Sequence, residues 1–224
     1  MKTVSFRVPY RAPSDGWVEI VASYWPGTSS NAMLLLHMMP ATRTSWNGFA
    51  QALNSRGWHV LAPDLRGHGD SVRSSVGTLD FNAFDDDGHQ MSILDVDGAR
   101  QWLASAGIAN DRISLGGASI GANLALQDMA SHSEVRSGFL LSPGLNYHGI
   151  ETEPLIRHLG TTQRLFLAAA EDDEESAEAL RVLPAMRQSG TEAQLFPSGG
   201  HGTQLFASHP DLVTALADWL SAVS

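Results

Sequence analysis

The sequence contains no cysteine. Disulfides, thiolate metal sites and a cysteine nucleophile are therefore excluded together, and the redox compartment stays open. Basic residues are scarce: 14 Lys and Arg stand against 24 Asp and Glu, giving a formal net charge of −10. A surface of that sign repels phosphate backbones, so no nucleic acid partner is expected. Long apolar runs are also lacking. Stretches such as Leu165 to Ala170 fall far short of the roughly 20 residues that cross a bilayer. Val4 to Tyr10 alternates apolar and polar residues instead of forming the apolar segment of a secretory signal, and a cytoplasmic location is the expectation.

With only 17% charged but 43% hydrophobic residues, the chain is not disordered and has the makings of a large interior. At 224 residues it can bury roughly 70 to 75% of its unfolded surface, so one domain over residues 1–224 is expected.

Two alternating runs, Thr3 to Val8 and Trp17 to Trp25, flank the turn cluster Ala12-Pro13-Ser14-Asp15-Gly16 and predict a hairpin. Ala32 to Leu36 is continuously apolar, as in a strand buried on both faces. Trp46, Phe49, Ala50 and Leu53 then recur at helical spacing before Gly57. Strand His59 to Pro63, a helix from about Asp95 to Gly107 and strand Arg112 to Leu115 follow. After them come helix 120–131, strands 136–142 and 164–170, helix 174–188, strand 193–196 and helix 211–222. Such alternation predicts an α/β fold with a mainly parallel twisted sheet of about seven or eight strands, flanked by helices. Val72 to Gly88 is read as an ordered loop.

Gly117-Ala118-Ser119-Ile120-Gly121 fits the G-x-S-x-G pattern between a strand and an apolar helix. A turn this tight needs small residues on both sides and lifts the serine hydroxyl above the sheet. A hydroxyl is a poor nucleophile until a base takes its proton and a carboxylate orients that base. Gly199-Gly200-His201-Gly202 follows a strand and offers His201 as the base, ahead of His148, His158 and His209. The strand Leu165 to Ala170 runs into Glu171-Asp172-Asp173, where Asp173 is the first choice of acid and Asp172 the alternative. Glu174, Glu175 and Glu178 fit a solvated helix start. Asp85-Asp86-Asp87-Gly88-His89 lacks the pattern of a calcium loop, and neither a metal nor another cofactor is expected.

These features, with Leu34-Leu35-Leu36-His37 and Ala62-Pro63-Asp64-Leu65-Arg66-Gly67-His68-Gly69-Asp70-Ser71, resemble an α/β-hydrolase over roughly residues 30–205. The chain order Ser119, Asp173, His201 is the order of nucleophile, acid and base in that fold. The resemblance implies an oxyanion hole from the N–H of Ile120 and that of Met39, with Met38 as the alternative. Met38 stands where the family usually has glycine. His37, His68 and Asp70 are read as loop structure. The family inserts lids after the strand that ends near Leu141, yet only about twenty residues separate it from Arg164, so no large cap domain is expected.

That compact plan resembles dienelactone-hydrolase-like enzymes and small carboxylesterases, with serine in place of the former's cysteine. The implied activity is hydrolysis of small, short-chain carboxylic esters, with Met38, Met39, Leu145, Tyr147 and Leu205 walling the pocket. A thioesterase, lysophospholipase or cofactor-free perhydrolase would share the same triad, and a non-catalytic binding module is the remaining class. A monomer or small homo-oligomer is expected.

Overall fold

The computed structural model describes residues 1–223. Strands β1 (Lys2–Pro9) and β2 (Trp17–Trp25) form the expected antiparallel hairpin. The chain continues through β3 (Ala32–Leu36), α1 (Asn47–Asn54) and β4 (His59–Pro63). Residues 72–88 are ordered as two-residue strands β5 (Arg73–Ser74) and β6 (Gly77–Thr78), a 3-10 turn, and the start of α2 (Asp86–Gln90). Here Asp80 and Asp85 turn the chain by accepting the backbone N–H groups of Asn82 and Gly88. Next come α3 (Ile93–Ser105), β7 (Ile113–Ala118), α4 (Ile120–Ser131) and β8 (Ser137–Leu141). A small hairpin of β9 (Asn146–Tyr147) and β10 (Ile150–Glu151) leads into α5 (Thr152–His158). The remainder is β11 (Arg164–Ala170), α6 (Glu174–Val182), β12 (Thr191–Phe196), α7 (Leu205–Ser208) and α8 (Asp211–Val223).

Ten strands make the main sheet, in the order β12-β11-β8-β7-β3-β4-β2-β5-β6 with β1 on β2. From β12 to β4 all neighbours are parallel, while β2 joins β4 antiparallel. The two-residue strands β5 and β6 account for the excess over the expected seven or eight. Strand β3 illustrates why its run is apolar throughout. Leu34 and Leu36 enter the core under α3 and α4, whereas Met33 and Leu35 point to the opposite core with α1 and α8.

Two expectations are corrected. The helix expected over 174–188 leaves α geometry after Val182 and tightens into a 3-10 turn, because Pro184 has no N–H to continue the ladder. The strand expected over 112–115 runs on to Ala118, so the sheet reaches the residue before Ser119.

The loop after β4 is held by a buried ion pair. Arg66 donates twice to one oxygen of the Asp95 carboxylate, at 3.0 and 2.8 Å, and its backbone N–H donates to the other at 2.8 Å. The same guanidinium reaches the carbonyls of Tyr10 and Pro9 at 2.6 and 3.2 Å, tying the first hairpin, the loop and α3 together. Burial pushes the Asp95 carboxyl up, and only Arg66 opposes this strongly. Removing one partner would strand the other charge in the interior. Arg66→Ala should therefore lower unfolding free energy by about 3–5 kcal/mol, measured by urea denaturation. A loss below 1 kcal/mol would mean that the pair does not hold the loop.

Candidate active site

Ser119 sits between β7 and α4 with φ 55° and ψ −125°, a backbone region that residues with a Cβ rarely occupy. Its N–H still pairs with the Leu141 carbonyl at 2.9 Å, and its carbonyl accepts Ala122 N–H at 2.8 Å. One peptide thus ends a strand while the next begins a helix. The flanking glycines are required by space. A Cβ on Gly117 would overlap the Gly121 carbonyl, and one on Gly121 would overlap the carbonyl oxygens of Leu36 and His37. The N–H of Ile120, first residue of α4, has no acceptor within its own helix.

The Asp172 or Asp173 alternative resolves geometrically. Asp173 Oδ2 lies 2.8 Å from His201 Nδ1. Asp172 instead accepts the N–H groups of Gly199, at 3.0 and 3.1 Å, and Gly200, at 3.2 Å, fixing the loop that carries the histidine. The His201 N–H donates to Gln204 Oε1 at 2.9 Å. Gly202 follows with φ +60°, and a Cβ there would collide with Met38 Sδ and come within 3.3 Å of Ala118 Cβ. Since Ala118 precedes Ser119, this close packing sets the histidine loop against the serine turn. Facing a carboxylate, His201 carries its proton on Nδ1, which leaves Nε2 as the basic nitrogen. Burial works to raise the Asp173 pKa, but hydrogen bonding from His201, Ser176 and Ser142 outweighs it and holds the carboxyl below its ordinary range.

His37 is wholly buried. The Leu65 N–H donates to its Nε2 at 2.9 Å, so Nδ1 must carry the proton and donate to the Met38 carbonyl, also at 2.9 Å. Protonating Nε2 would break the first bond. Burial, reinforced by neighbouring His68, lowers the His37 pKa to about 3. Because the Met38–Met39 peptide is planar and trans, drawing its carbonyl to the ring turns the Met39 N–H to the opposite side.

The expected walls fare differently. The Tyr147 ring centroid is 6.4 Å from that of His201, and its hydroxyl is 3.2 Å from Ser176 Oγ. Burial is the main reason its pKa is pushed up to about 12. Leu145 lines a cavity of about 560 Å³ with Asn146, Glu151 and Arg157. Met38 is half-buried and packs against Gly202, with Thr203 Oγ1 3.9 Å from its sulfur. Met39 is half-buried on the core under α3 and α4. Leu205 is a correction: it is wholly buried in the core beneath Gly199, and so supports the histidine loop from below and offers no face to a cleft.

The remaining candidates have other partners. His148 Nδ1 lies 2.9 Å from Asp86, His158 Nδ1 2.6 Å from the Pro154 carbonyl, and His209 Nε2 2.6 Å from the Ser198 carbonyl. His68 Nδ1 lies 3.0 Å from the Arg66 carbonyl, and Asp70 pairs with Arg43 at 2.6 Å. Three further residues escape sequence reasoning. Asn123, in the first turn of α4, donates to the carbonyls of Gly144 and Ile150 and accepts Gly144 N–H, so the serine helix carries the β9–β10 hairpin. Ser142 and Ser176 sit beside Asp173. Only the turn cluster Ser142-Pro143-Gly144 hints at this arrangement in the sequence.

Residues 31–182 match the family described as alpha/beta hydrolase fold. The chain belongs to this family. No curated protein matches its sequence. Among solved structures it is similar to an esterase from Pyrococcus furiosus, with TM-score 0.70 and 16% identity over 99% of this chain and 92% of that one. An esterase from Exiguobacterium antarcticum aligns with TM-score 0.72 and 13% identity, covering 97% of this chain and 100% of the other. A dienelactone hydrolase from Anabaena variabilis gives TM-score 0.68 and 17% identity over 99% and 95% of the two chains. Among the described residues no helix is long and apolar enough to cross a membrane.

Burial of the neutral His37 ring makes the stability of the fold depend on pH. The unfolded chain protonates this ring near pH 6.5, whereas the folded chain resists protonation down to about 3. Between those values the unfolded state binds more protons, so stability is full above pH 6.5 and falls as pH drops toward 3. His89, lowered to about 4 mainly by burial, acts in the same direction. Nitrogen-15 NMR should find His37 neutral and protonated on Nδ1 at both pH 7 and pH 5, with the urea midpoint lower at pH 5. A His37 ring that titrates near pH 6.5 would contradict the bonding described.

Proposed function

We propose that the protein is a serine hydrolase that cleaves small, short-chain carboxylic esters, with Ser119 as nucleophile, His201 as base and Asp173 as the orienting acid. The observation that carries this reading is the 2.8 Å contact between His201 Nδ1 and Asp173 Oδ2, beside a serine held in a strained strand-to-helix turn. Family membership and the esterases among similar folds support it.

In this mechanism Ser119 Oγ attacks the ester carbonyl carbon as its proton passes to His201 Nε2. Asp173, kept ionised by its hydrogen bonds, stabilises the imidazolium without accepting the proton. Charge builds on the former carbonyl oxygen, where the N–H groups of Met39 and Ile120 receive it. A donor so placed is worth about 3 kcal/mol in related chemistry. The intermediate collapses, the alcohol leaves with the proton from His201, and an acyl-enzyme remains. His201 next takes a proton from water as that water attacks the acyl carbon. Expelling Ser119, reprotonated by His201, releases the acid.

The acyl side lies among Met38, Met39, Leu145 and Tyr147. Between β8 and β11 the chain builds only a four-residue pairing and the short α5. That cover suits acetyl to butyryl groups better than long chains.

Hydrolysis of p-nitrophenyl esters from acetyl to palmitoyl tests the reading. kcat/KM should be highest for acetyl or butyryl and fall at least about 10³-fold in Ser119→Ala. A fluorophosphonate should label Ser119, as mapped by mass spectrometry. Asp173→Asn should cost about 10²- to 10⁴-fold, and Asp172→Asn clearly less. Activity surviving in Ser119→Ala would overturn the nucleophile, and preference for palmitoyl would overturn the acyl-length assignment.

A further inference from the structure

Ser142 follows directly after β8 and is fully buried, at 0% exposure. Its φ is +49°, and among the described residues only Ser119 and His148 share a positive φ without being glycine. Such a conformation costs on the order of 1–3 kcal/mol and persists where surrounding contacts impose it. Those contacts are specific. The Ser142 N–H donates to the Ala168 carbonyl at 2.7 Å, extending the pairing of β8 with β11. Its Oγ accepts the N–H of Gly202 at 2.8 Å. The hydroxyl proton is thereby left free, and Ser142 is among the groups whose hydrogen bonding holds the Asp173 carboxyl below its ordinary range. A single oxygen thus joins the residue after His201 to the residue that orients His201.

We propose that Ser142 is a positioning residue for the Asp173–His201 pair, holding the histidine loop by accepting from Gly202 and holding the carboxylate by donating to it. The proposal rests on the reading of Ser119, His201 and Asp173 as the hydrolytic machinery and deepens it. Glycine would suit φ +49° better but has no hydroxyl, and alanine would keep the strain without either bond. The serine is explained by what its oxygen joins. The groups acting on Asp173 are His201 from the loop after β12, Ser176 from α6 and Ser142 after β8, with Tyr147 of the β9–β10 hairpin sensing its charge together with that of Glu175. Without the Ser142 donor the carboxylate keeps more of its charge for His201, which favours the imidazolium. The imidazole must be neutral to take the serine proton, so the acid limb of kcat/KM should move to higher pH.

The test compares Ser142→Gly and Ser142→Ala with the wild type on p-nitrophenyl butyrate. Both variants should lose about 10- to 100-fold in kcat, the scale on which small misplacements act, while KM changes less than threefold. Both acid limbs should shift upward, and the low-field proton resonance of His201 Nδ1–H should broaden through faster exchange. Ser142→Gly guards against misfolding, since glycine relaxes the backbone, and its thermal midpoint should stay within a few degrees of the wild type. A purely conformational role predicts a normal Ser142→Ala, and that outcome would overturn the proposal. So would two variants with unchanged kcat and pH profile in an active enzyme. A wild type inactive on every ester, with the His201 signal still lost in Ser142→Gly, would refute the esterase reading and support the positioning role.

Discussion

How closely α4 can approach the end of β3 governs the whole C-terminal edge of the sheet. Gly121 lies against the carbonyl oxygens of Leu36 and His37, with no room for a side chain. That contact brings the first N–H of the helix beside the His37–Met39 loop and throws Ser119 into its strained turn. Asn123, two residues further on, extends the same helix end to the β9–β10 hairpin. A larger residue at position 121 would separate the serine, the loop and the hairpin together, since all three are fixed to one turn of helix.

Two histidines in this region are driven in different directions by their surroundings. His37 has a backbone donor on one nitrogen and a backbone acceptor at the other, so its ring is a fixed neutral strut. His201 has a carboxylate on Nδ1 and is one-third exposed, which leaves its second nitrogen available to solvent or a reacting group. The difference is not one of residue type but of what each ring is bonded to and how much water reaches it.

Much of this architecture is legible in the sequence because it rests on local rules. The apolar run from Ala32 to Leu36 announces a strand covered on both faces, and glycines two residues either side of Ser119 announce a turn that tolerates no bulk. What is not legible depends on distance in the chain. Asp172 and Asp173 are chemically equivalent neighbours, and only the path of the loop after β12 decides that one binds backbone and the other binds His201. Leu205 reads equally well as a wall or as core, and the docking of α7 places it in the core. Ser142 carries no signal of its own, because the meaning of its hydroxyl comes from Gly202, sixty residues away.

The proposed site gathers one residue from each of four parallel strand ends: Ser119 after β7, Ser142 after β8, Asp173 after β11 and His201 after β12. No contiguous segment holds a working part of it, and β12 is both the edge strand and the last to be made. During synthesis the serine therefore emerges some eighty residues before the histidine that would activate it. On the proposed mechanism a growing chain carries an inert hydroxyl until its final strand pairs with β11, so chemical competence would arrive together with completion of the sheet.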